Sequence, residues 1–189
     1  QGVATTSSSN NFTLSRASDA YLNNITFDNN DFENGSAGIS WSGIEPHSSN
    51  IQITNNSFSN YTDSVILYYF DSVNISGNII AEQKYSGIYL YHCYGQITVS
   101  KNEIYSTIGD YGIRLEYCNS SVLAGNSSIS NNIIRSERNA LYIYQSAYMD
   151  IRNNSTYSDG NSDSYRACTL QSSSNLTMTN TICAGFGEV

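Results

Sequence analysis

Apolar residues recur along the chain in a short pattern that contains one fixed asparagine. The pattern reads apolar, any, apolar, any, any, Asn, any, apolar, and its first clear copy is Ile25, Phe27, Asn30 and Phe32. The asparagines of six copies are spaced by 26, 22, 24, 30 and 22 residues. They are Asn30, Asn56, Asn78, Asn102, Asn132 and Asn154. A last copy, between Leu176 and Cys183, has lost the asparagine.

A second pattern follows each asparagine after eight to thirteen residues. It is a small residue followed by alternating apolar positions, as in Gly87-Ile88-Tyr89-Leu90. Alternation with a period of two is typical of β-strands, and no stretch of the chain has helical periodicity. A repeat of this length that holds two or three short strands is one coil of a β-solenoid.

The sequence therefore predicts an all-β protein, a right-handed parallel β-helix of about seven coils. We expect a single domain over residues 1–189, with regular coils over 21–183 and a partial first coil at 10–20. Equivalent residues of successive coils would lie one strand spacing apart, about 4.8 Å. Two interior columns are predicted, one that starts with Ile25 and Ile51 and one that starts with Phe27 and Ile53. The asparagines are expected at a bend, where they tolerate a left-handed backbone and hydrogen-bond along the column.

This layout resembles the parallel β-helix repeat family, the broad group that includes pectate-lyase-like folds. The resemblance extends over residues 21–183 and rests on the asparagine pattern and the paired strands. It implies the fold and not the activity, because the group contains lyases, hydrolases, tailspikes, adhesins and other surface proteins. The absence of the group's catalytic motifs makes the chain most similar to non-catalytic surface proteins of this type.

Charge and composition narrow the list of partners. The net charge is −8 with only eight Lys and Arg residues, which argues against a nucleic-acid partner. No stretch reaches the roughly 18 apolar residues of a membrane span. Glycosylation triplets of the form N-x-S/T favour an extracellular or cell-surface protein, and we expect some of them to carry glycans. The triplets start at Asn11, Asn24, Asn34, Asn55, Asn60, Asn74, Asn119, Asn126, Asn153, Asn154 and Asn175.

Candidate catalytic and metal-binding residues are few. The motifs Asn-Thr-Asp, Asp-Asp and Gly-His-Gly, which mark the hydrolases of this fold group, are absent, so the sequence predicts no catalytic residue and favours a protein that is not an enzyme. His47 and His92 each stand alone. Asp159 to Asp163 resembles the start of a calcium loop, but its glycine is misplaced and no glutamate follows at the required distance, so a solvated turn is expected. The sequence predicts no metal and no cofactor.

Tyrosines line one face of the predicted solenoid. The outward positions of the second strand of each coil hold Tyr68, Tyr89, Tyr91, Tyr142 and Tyr144. This stripe is interrupted by the pair Arg114 and Glu116. Tyrosine offers a flat apolar ring and a hydroxyl, so the stripe could bind sugars or a partner. Aromatic ladders also stabilise stacked strands without any ligand, and both interpretations stay open.

Two of the four cysteines have the spacing of stacked residues. Cys93 and Cys118 lie 25 residues apart, which is one coil. Such a pair can form a disulfide or a stack of buried thiols, and both stay open; an even number of cysteines in a secreted chain favours some oxidation. Cys168 occupies an inward slot and Cys183 lies in the last coil.

Two functions are predicted from these features. The first is an extracellular structural protein, a subunit of a sheath, surface layer or fibre that self-associates end to end. This hypothesis rests on the unpaired strand edges of the terminal coils, for which the other explanation is that the chain is a piece of a longer solenoid. The alternative is a domain that binds or cleaves polysaccharide.

Overall fold

The computed structural model describes residues 12–15, 23–43, 48–119, 126–160, 162 and 164–185. Within these residues every regular element is a β-strand, and the strands wind into a parallel β-solenoid of about six turns. The fold predicted from the sequence, and the resemblance to parallel β-helix proteins, are confirmed, with nearly the predicted number of coils. No helix in the described part of the chain is long and apolar enough to cross a membrane.

One sheet of seven strands forms the first face of the solenoid, and its neighbours run parallel. Each strand is the segment of a coil that precedes the bend with the asparagine. In chain order the strands are β2 (Asn23–Asp28), β4 (Ser48–Thr54), β6 (Phe70–Ser76), β9 (Tyr94–Ser100), β12 (Ser127–Ser130), β15 (Ala147–Arg152) and β18 (Ser174–Thr179).

A sheet of twelve strands supplies the other two faces. The second face, directly after the bend, contains β7 (Ile79–Ala81), β10 (Glu103–Tyr105), β13 (Ile133–Ser136), β16 (Ser155–Ser158) and β19 (Ile182–Gly185). The third face contains β8 (Ser86–Tyr91), β11 (Tyr111–Glu116), β14 (Asn139–Tyr144) and β17 (Arg166–Gln171). In the early coils β3 (Asp31–Ser42) and β5 (Ser57–Tyr68) run through both faces, and β1 (Phe12–Ser15) pairs with the end of β3.

The interior is filled by apolar columns in the predicted register. Ile51 pairs with Ile25 on one side and with Val73 on the other, and Val73 pairs with Ile97. These residues alternate with exposed or half-buried polar ones along each strand. Burial of successive Ile, Val and Leu side chains supplies the main driving force for stacking, because each apolar side chain removed from water contributes about 1.5–3 kcal/mol.

The asparagines form the predicted ladder of hydrogen bonds. The Oδ1 atom of Asn102 accepts the backbone N–H of Asn78 at 3.0 Å and its Nδ2–H at 2.9 Å. In turn, Asn102 Nδ2 donates to the carbonyl of Ile75 and to Oδ1 of Asn132, both at 3.0 Å. The same bonds link the other members of the ladder from Asn30 to Asn154, where Thr181 takes the place of the missing asparagine.

The left-handed residue of each bend is the one before the ladder asparagine, which corrects the expectation that the asparagine itself would be left-handed. Asn55, Gly77 and Lys101 adopt φ angles of 54°, 68° and 56°. The ladder side chain has to point into the coil to reach its partners. The preceding residue therefore adopts the left-handed conformation that turns the chain, and its side chain points outward. Lys101 demonstrates that asparagine is not required there.

The disulfide joins Cys168 and Cys183, with a Cα–Cα distance of 5.8 Å, whereas Cys93 and Cys118 are free thiols. Of the two arrangements that the spacing of Cys93 and Cys118 left open, the structure has the stack of buried thiols and not the disulfide. Each thiol points into the core and lies close to a carbonyl of the coil below, 3.6 Å from Leu67 O for Cys93. The bond that forms instead crosses the last coil between β17 and β19.

Substitution of a ladder residue tests how much the ladder contributes to stability. Asn102→Ala leaves the two donors of Asn78 without their acceptor inside the protein. Buried donors without partners are costly, so we expect a loss of about 3 kcal/mol in the free energy of unfolding. The exposed Asn126→Ala, which loses one surface bond to Asp150, should cost about 0.5 kcal/mol or less. Equal shifts of the urea midpoint would contradict the ladder's role.

Counting of thiols tests the assignment of the cysteines. Of four cysteines, two are bonded, so two remain free. The native protein should react slowly with a thiol reagent, because both free thiols are buried. Unfolding without reductant should release two reactive thiols, and reduction should raise the number to four. Release of none without reductant would mean that Cys93 and Cys118 are bonded.

Candidate functional site

The predicted tyrosine stripe lies on the outward side of the third face. Register places Tyr89 between Ile66 and Arg114, and Arg114 beside Tyr142. The neighbouring column runs through Tyr68, Tyr91, Glu116 and Tyr144. We use the name tyrosine face for these side chains and the aromatic residues that contact them. The face consists of Tyr68, Tyr69, Tyr85, Tyr89, Tyr91, His92, Tyr111, Arg114, Glu116, Tyr117, Tyr142 and Tyr144.

The alternation along each strand explains how the tyrosines come to one side. In β8, Ile88 and Leu90 point into the core and are fully buried, while Tyr89 and Tyr91 between them point out and are half-buried. The same alternation in β11 directs Ile113 inward and Arg114 outward. Because the coils are in register, an outward residue of one coil stands beside the outward residue of the next.

The rings of the face pack mainly edge to face. Tyr68 contacts Tyr89 with a centroid distance of 5.8 Å and Tyr91 with one of 5.7 Å, both at steep interplanar angles. Tyr142 and Tyr144 lie more nearly parallel, 6.3 Å apart. Such contacts contribute about 0.5–1.5 kcal/mol each beyond the burial of area. They hold the rings in a fixed surface, and each ring keeps part of its area exposed.

A closed polar network lies at the centre of the face. Arg114 donates from Nε and Nη2 to Glu116 Oε1, at 3.0 and 2.9 Å, and from Nη1 to the hydroxyl of Tyr85 at 3.1 Å. The hydroxyl of Tyr89 donates to Glu116 Oε2 at 2.9 Å. The guanidinium lies over the rings of Tyr89 and Tyr111, 4.5 and 4.7 Å from their centroids. Both charged side chains are therefore fixed by several partners.

A second aromatic column borders the face at the bend that follows β8. His92 is stacked between Tyr69 and Tyr117, with centroid distances of 5.3 and 4.9 Å. All three residues have positive φ, an unfavourable conformation for bulky side chains. Sequence reasoning missed this column and treated His92 as an isolated residue. The signal lay in the spacing, because Tyr69, His92 and Tyr117 each follow the last residue of a third-face strand.

Burial changes the pKa values of several side chains on the tyrosine face. Burial raises the pKa of the phenols of Tyr68, Tyr89, Tyr111 and Tyr142 above the usual tyrosine value. For Tyr89, the hydrogen bond to the Glu116 carboxylate raises the pKa further. These phenols therefore keep their protons, and their ability to donate, through mildly alkaline pH. Burial also raises the pKa of Asp63, a carboxyl group in β5 near the edge of the face.

The described residues contain no group of three or more His, Cys, Asp or Glu side chains that could hold a metal ion. His92 is engaged by its stacking partners and by a contact of 2.9 Å between Nδ1 and the hydroxyl of Tyr94. In the segment that resembles a calcium loop, Asp159 binds Arg135 at 2.6 Å. Asn161, Asp163 and His47 lie outside the described residues.

The asparagines of the glycosylation triplets differ in their exposure to solvent. Asn154 is a ladder residue and is buried, so it has no access to a glycosyl donor. Asn74 is half-buried, and Asn11 lies outside the described residues. The remaining asparagines are exposed, namely Asn24, Asn34, Asn55, Asn60, Asn119, Asn126, Asn153 and Asn175.

A groove of about 510 Å³ lies on the second face, away from the tyrosine face. Its lining includes the exposed side chains of Ile133 and Ile182, together with Ser155 and Thr156. Arg135 and Tyr157 border it. Sequence reasoning did not single out this face, because its short strands, β13, β16 and β19 with four residues each, carry a weak pattern.

Alkaline titration tests the burial of the tyrosine face. The folded pKa values of Tyr68 and Tyr142 are higher than those of an unfolded chain, so above pH about 10 the unfolded state loses protons that the folded state keeps. The free energy of unfolding should be unaffected by tyrosine ionisation below that pH and should fall above it. Tyr68→Phe with Tyr142→Phe should reduce this fall, measured as urea midpoints across the range. An identical fall in the double variant would contradict the burial.

The comparison of the sequence with protein-family models finds a match. A family model described as periplasmic copper-binding protein (NosD) matches residues 1–127, well over half of the chain. No curated protein and no solved structure matches. The family is periplasmic by its description, which is compatible with the predicted location outside the cytoplasm. On the extent of this match, the chain belongs to the NosD family of β-helix proteins.

Proposed function

We propose that this protein is an extracellular or cell-surface β-helix domain that binds polysaccharide on its tyrosine face without cleaving it. The observation that carries the proposal is the tyrosine face itself. Tyrosines from successive coils project to one side and each remains half-buried, as for Tyr68, Tyr91 and Tyr144. Flat rings with hydroxyls match the apolar faces and the hydroxyl groups of sugar rings.

The polar network favours binding over cleavage. Hydrolysis of a glycosidic bond needs two carboxyl groups that flank the bond, about 5 Å or about 6.5–9.5 Å apart. Glu116 is the only carboxylate in β8, β11, β14 and β17, and Asp63 of β5 lies near the edge of the face, in register with Ser86. Glu116 already accepts hydrogen bonds from Arg114 and Tyr89. The ion pair of Arg114 and Glu116 thus holds the surrounding rings in place.

Copper, which appears in the family's description, does not fit the described residues. Copper prefers thiolate and imidazole ligands that an ion can reach. Cys93 and Cys118 are completely buried, and burial raises the pKa of the Cys118 thiol well above its usual range, which disfavours the thiolate. His92 points outward into the aromatic column, away from both thiols. Copper therefore has no part in the proposed function.

End-to-end assembly is a second candidate, favoured by the last described coil. Leu170 and Met178 occupy interior columns, where their neighbours Ile143 and Ile151 are fully buried, yet their own exposed fractions are 40% and 37%. The strands β17 and β18 also have a free edge there among the described strands. A coil of a second copy could cover this apolar end by continuing the stack.

Binding to immobilised polysaccharides tests the first proposal. Tyr89→Ala with Tyr142→Ala should weaken binding at least about tenfold, since exposed rings are lost from two coils of the face. The matched control is Tyr105→Ala with Tyr157→Ala, which removes two tyrosines from the second face and should leave affinity unchanged. Equal effects of the two double variants would contradict a binding surface on the third face.

Sedimentation velocity and negative-stain microscopy over a wide range of protein concentration test end-to-end assembly. Assembly predicts filaments, tubes or sheets that disappear in Leu170→Lys with Met178→Lys, because charge at the stacking end opposes contact. Ile79→Lys, at a lateral position that is 56% exposed, is the control and should still assemble. Monomers at every concentration would overturn end-to-end assembly and leave the binding proposal intact.

A further inference from the structure

We propose that the polysaccharide bound by the tyrosine face is uncharged. This inference rests on the proposed function and specifies the class of ligand. It follows from the contacts that Arg114 makes. From β5 to β14, Arg114 is the one cationic side chain at an outward position of the third-face strands.

Recognition of an acidic sugar requires a cation that is available to pair with the carboxylate or sulfate group. Three of the five N–H donors of the Arg114 guanidinium are engaged by neighbouring side chains. Nε and Nη2 bind Glu116, and Nη1 binds Tyr85. The guanidinium also lies over the rings of Tyr89 and Tyr111. The side chains of Arg114 and Glu116 are only 16% and 11% exposed, so solvent and ligands reach little of the pair.

The surrounding charge opposes an anionic polymer as well. The protein carries a net charge of −8, and long-range repulsion lowers the local concentration of polyanions. At the face itself the charges of Arg114 and Glu116 cancel. The functional groups that remain are phenol rings and hydroxyls, which burial keeps protonated at Tyr68 and Tyr142. Such groups suit the hydroxyls and C–H faces of neutral sugars.

The decisive experiment compares polymers that share a backbone and differ in charge. Suitable pairs are methyl-esterified and de-esterified homogalacturonan, hydroxyethyl and carboxymethyl cellulose, and dextran and dextran sulfate. Affinity is measured for the intact chain at low and at moderate salt, because salt screens repulsion between exposed charges. We expect the neutral member of at least one pair to bind at least about tenfold more tightly at low salt, which corresponds to about 1.4 kcal/mol.

A charge variant tests the role of the closed pair. Glu116→Gln keeps the size of the side chain and leaves Arg114 without its anionic partner, so the face gains a positive charge. The preference for the neutral polymer should then shrink to about threefold or less. Asp159→Asn is the matched control, since it makes the same change in net charge and releases Arg135 on the second face. It should retain the preference of the native protein. Circular dichroism and the unfolding midpoint verify that both variants fold.

The outcomes separate the two levels of the proposal. Preference for neutral polymers that Glu116→Gln reduces and Asp159→Asn does not supports the inference. Equal or tighter binding of the anionic members would overturn the inference and leave polysaccharide binding standing. An unchanged preference in Glu116→Gln would also overturn it, because Arg114 would not then set the selectivity. Absence of binding to every polymer in the panel would overturn the proposed function itself.

Discussion

The hydrogen-bonded ladder of asparagines is the constraint on which the rest of this molecule depends. Each buried ladder side chain accepts the backbone N–H and the amide N–H of its neighbour and donates to a carbonyl of the core strand, as Asn102 does. A slip of one residue in any coil would break these bonds and turn the interior column outward. The ladder thus fixes the register of every coil, and register decides which side chains meet on the surface.

The tyrosine face is a consequence of that register. Side chains alternate across each strand, so Ile88 and Leu90 in the core require Tyr89 and Tyr91 outside. Coils that stack without offset then align these residues with Arg114 and Glu116 of the next coil. The ion pair of Arg114 and Glu116 contacts neighbouring rings, and each of its charges is neutralised by the other. A surface of this kind is rigid before a ligand arrives, which lowers the entropic cost of binding.

The sequence predicted the architecture well because its signals are local and repeated. The spacing of the asparagines gave the coil length, and alternation gave the inward columns and the outward tyrosines. The sequence did not predict contacts that depend on the direction of side chains within a single coil. Cys168 and Cys183 meet across the last coil, on different faces, whereas stacking suggested Cys93 and Cys118. The left-handed residues, and with them the stack of Tyr69, His92 and Tyr117, required the backbone of the bends.

The central claim is that one lateral face of the solenoid, set by the ladder, is the surface that meets polysaccharide. Nuclear magnetic resonance of isotope-labelled tyrosine rings during titration with a bound neutral polysaccharide tests it most directly. If polysaccharide binds on this face, the titration should shift together the resonances of Tyr68, Tyr89, Tyr91, Tyr142 and Tyr144. Those of Tyr105 and Tyr157, on the second face, should stay in place. Shifts spread evenly over all tyrosines, or confined to the second face, would contradict it.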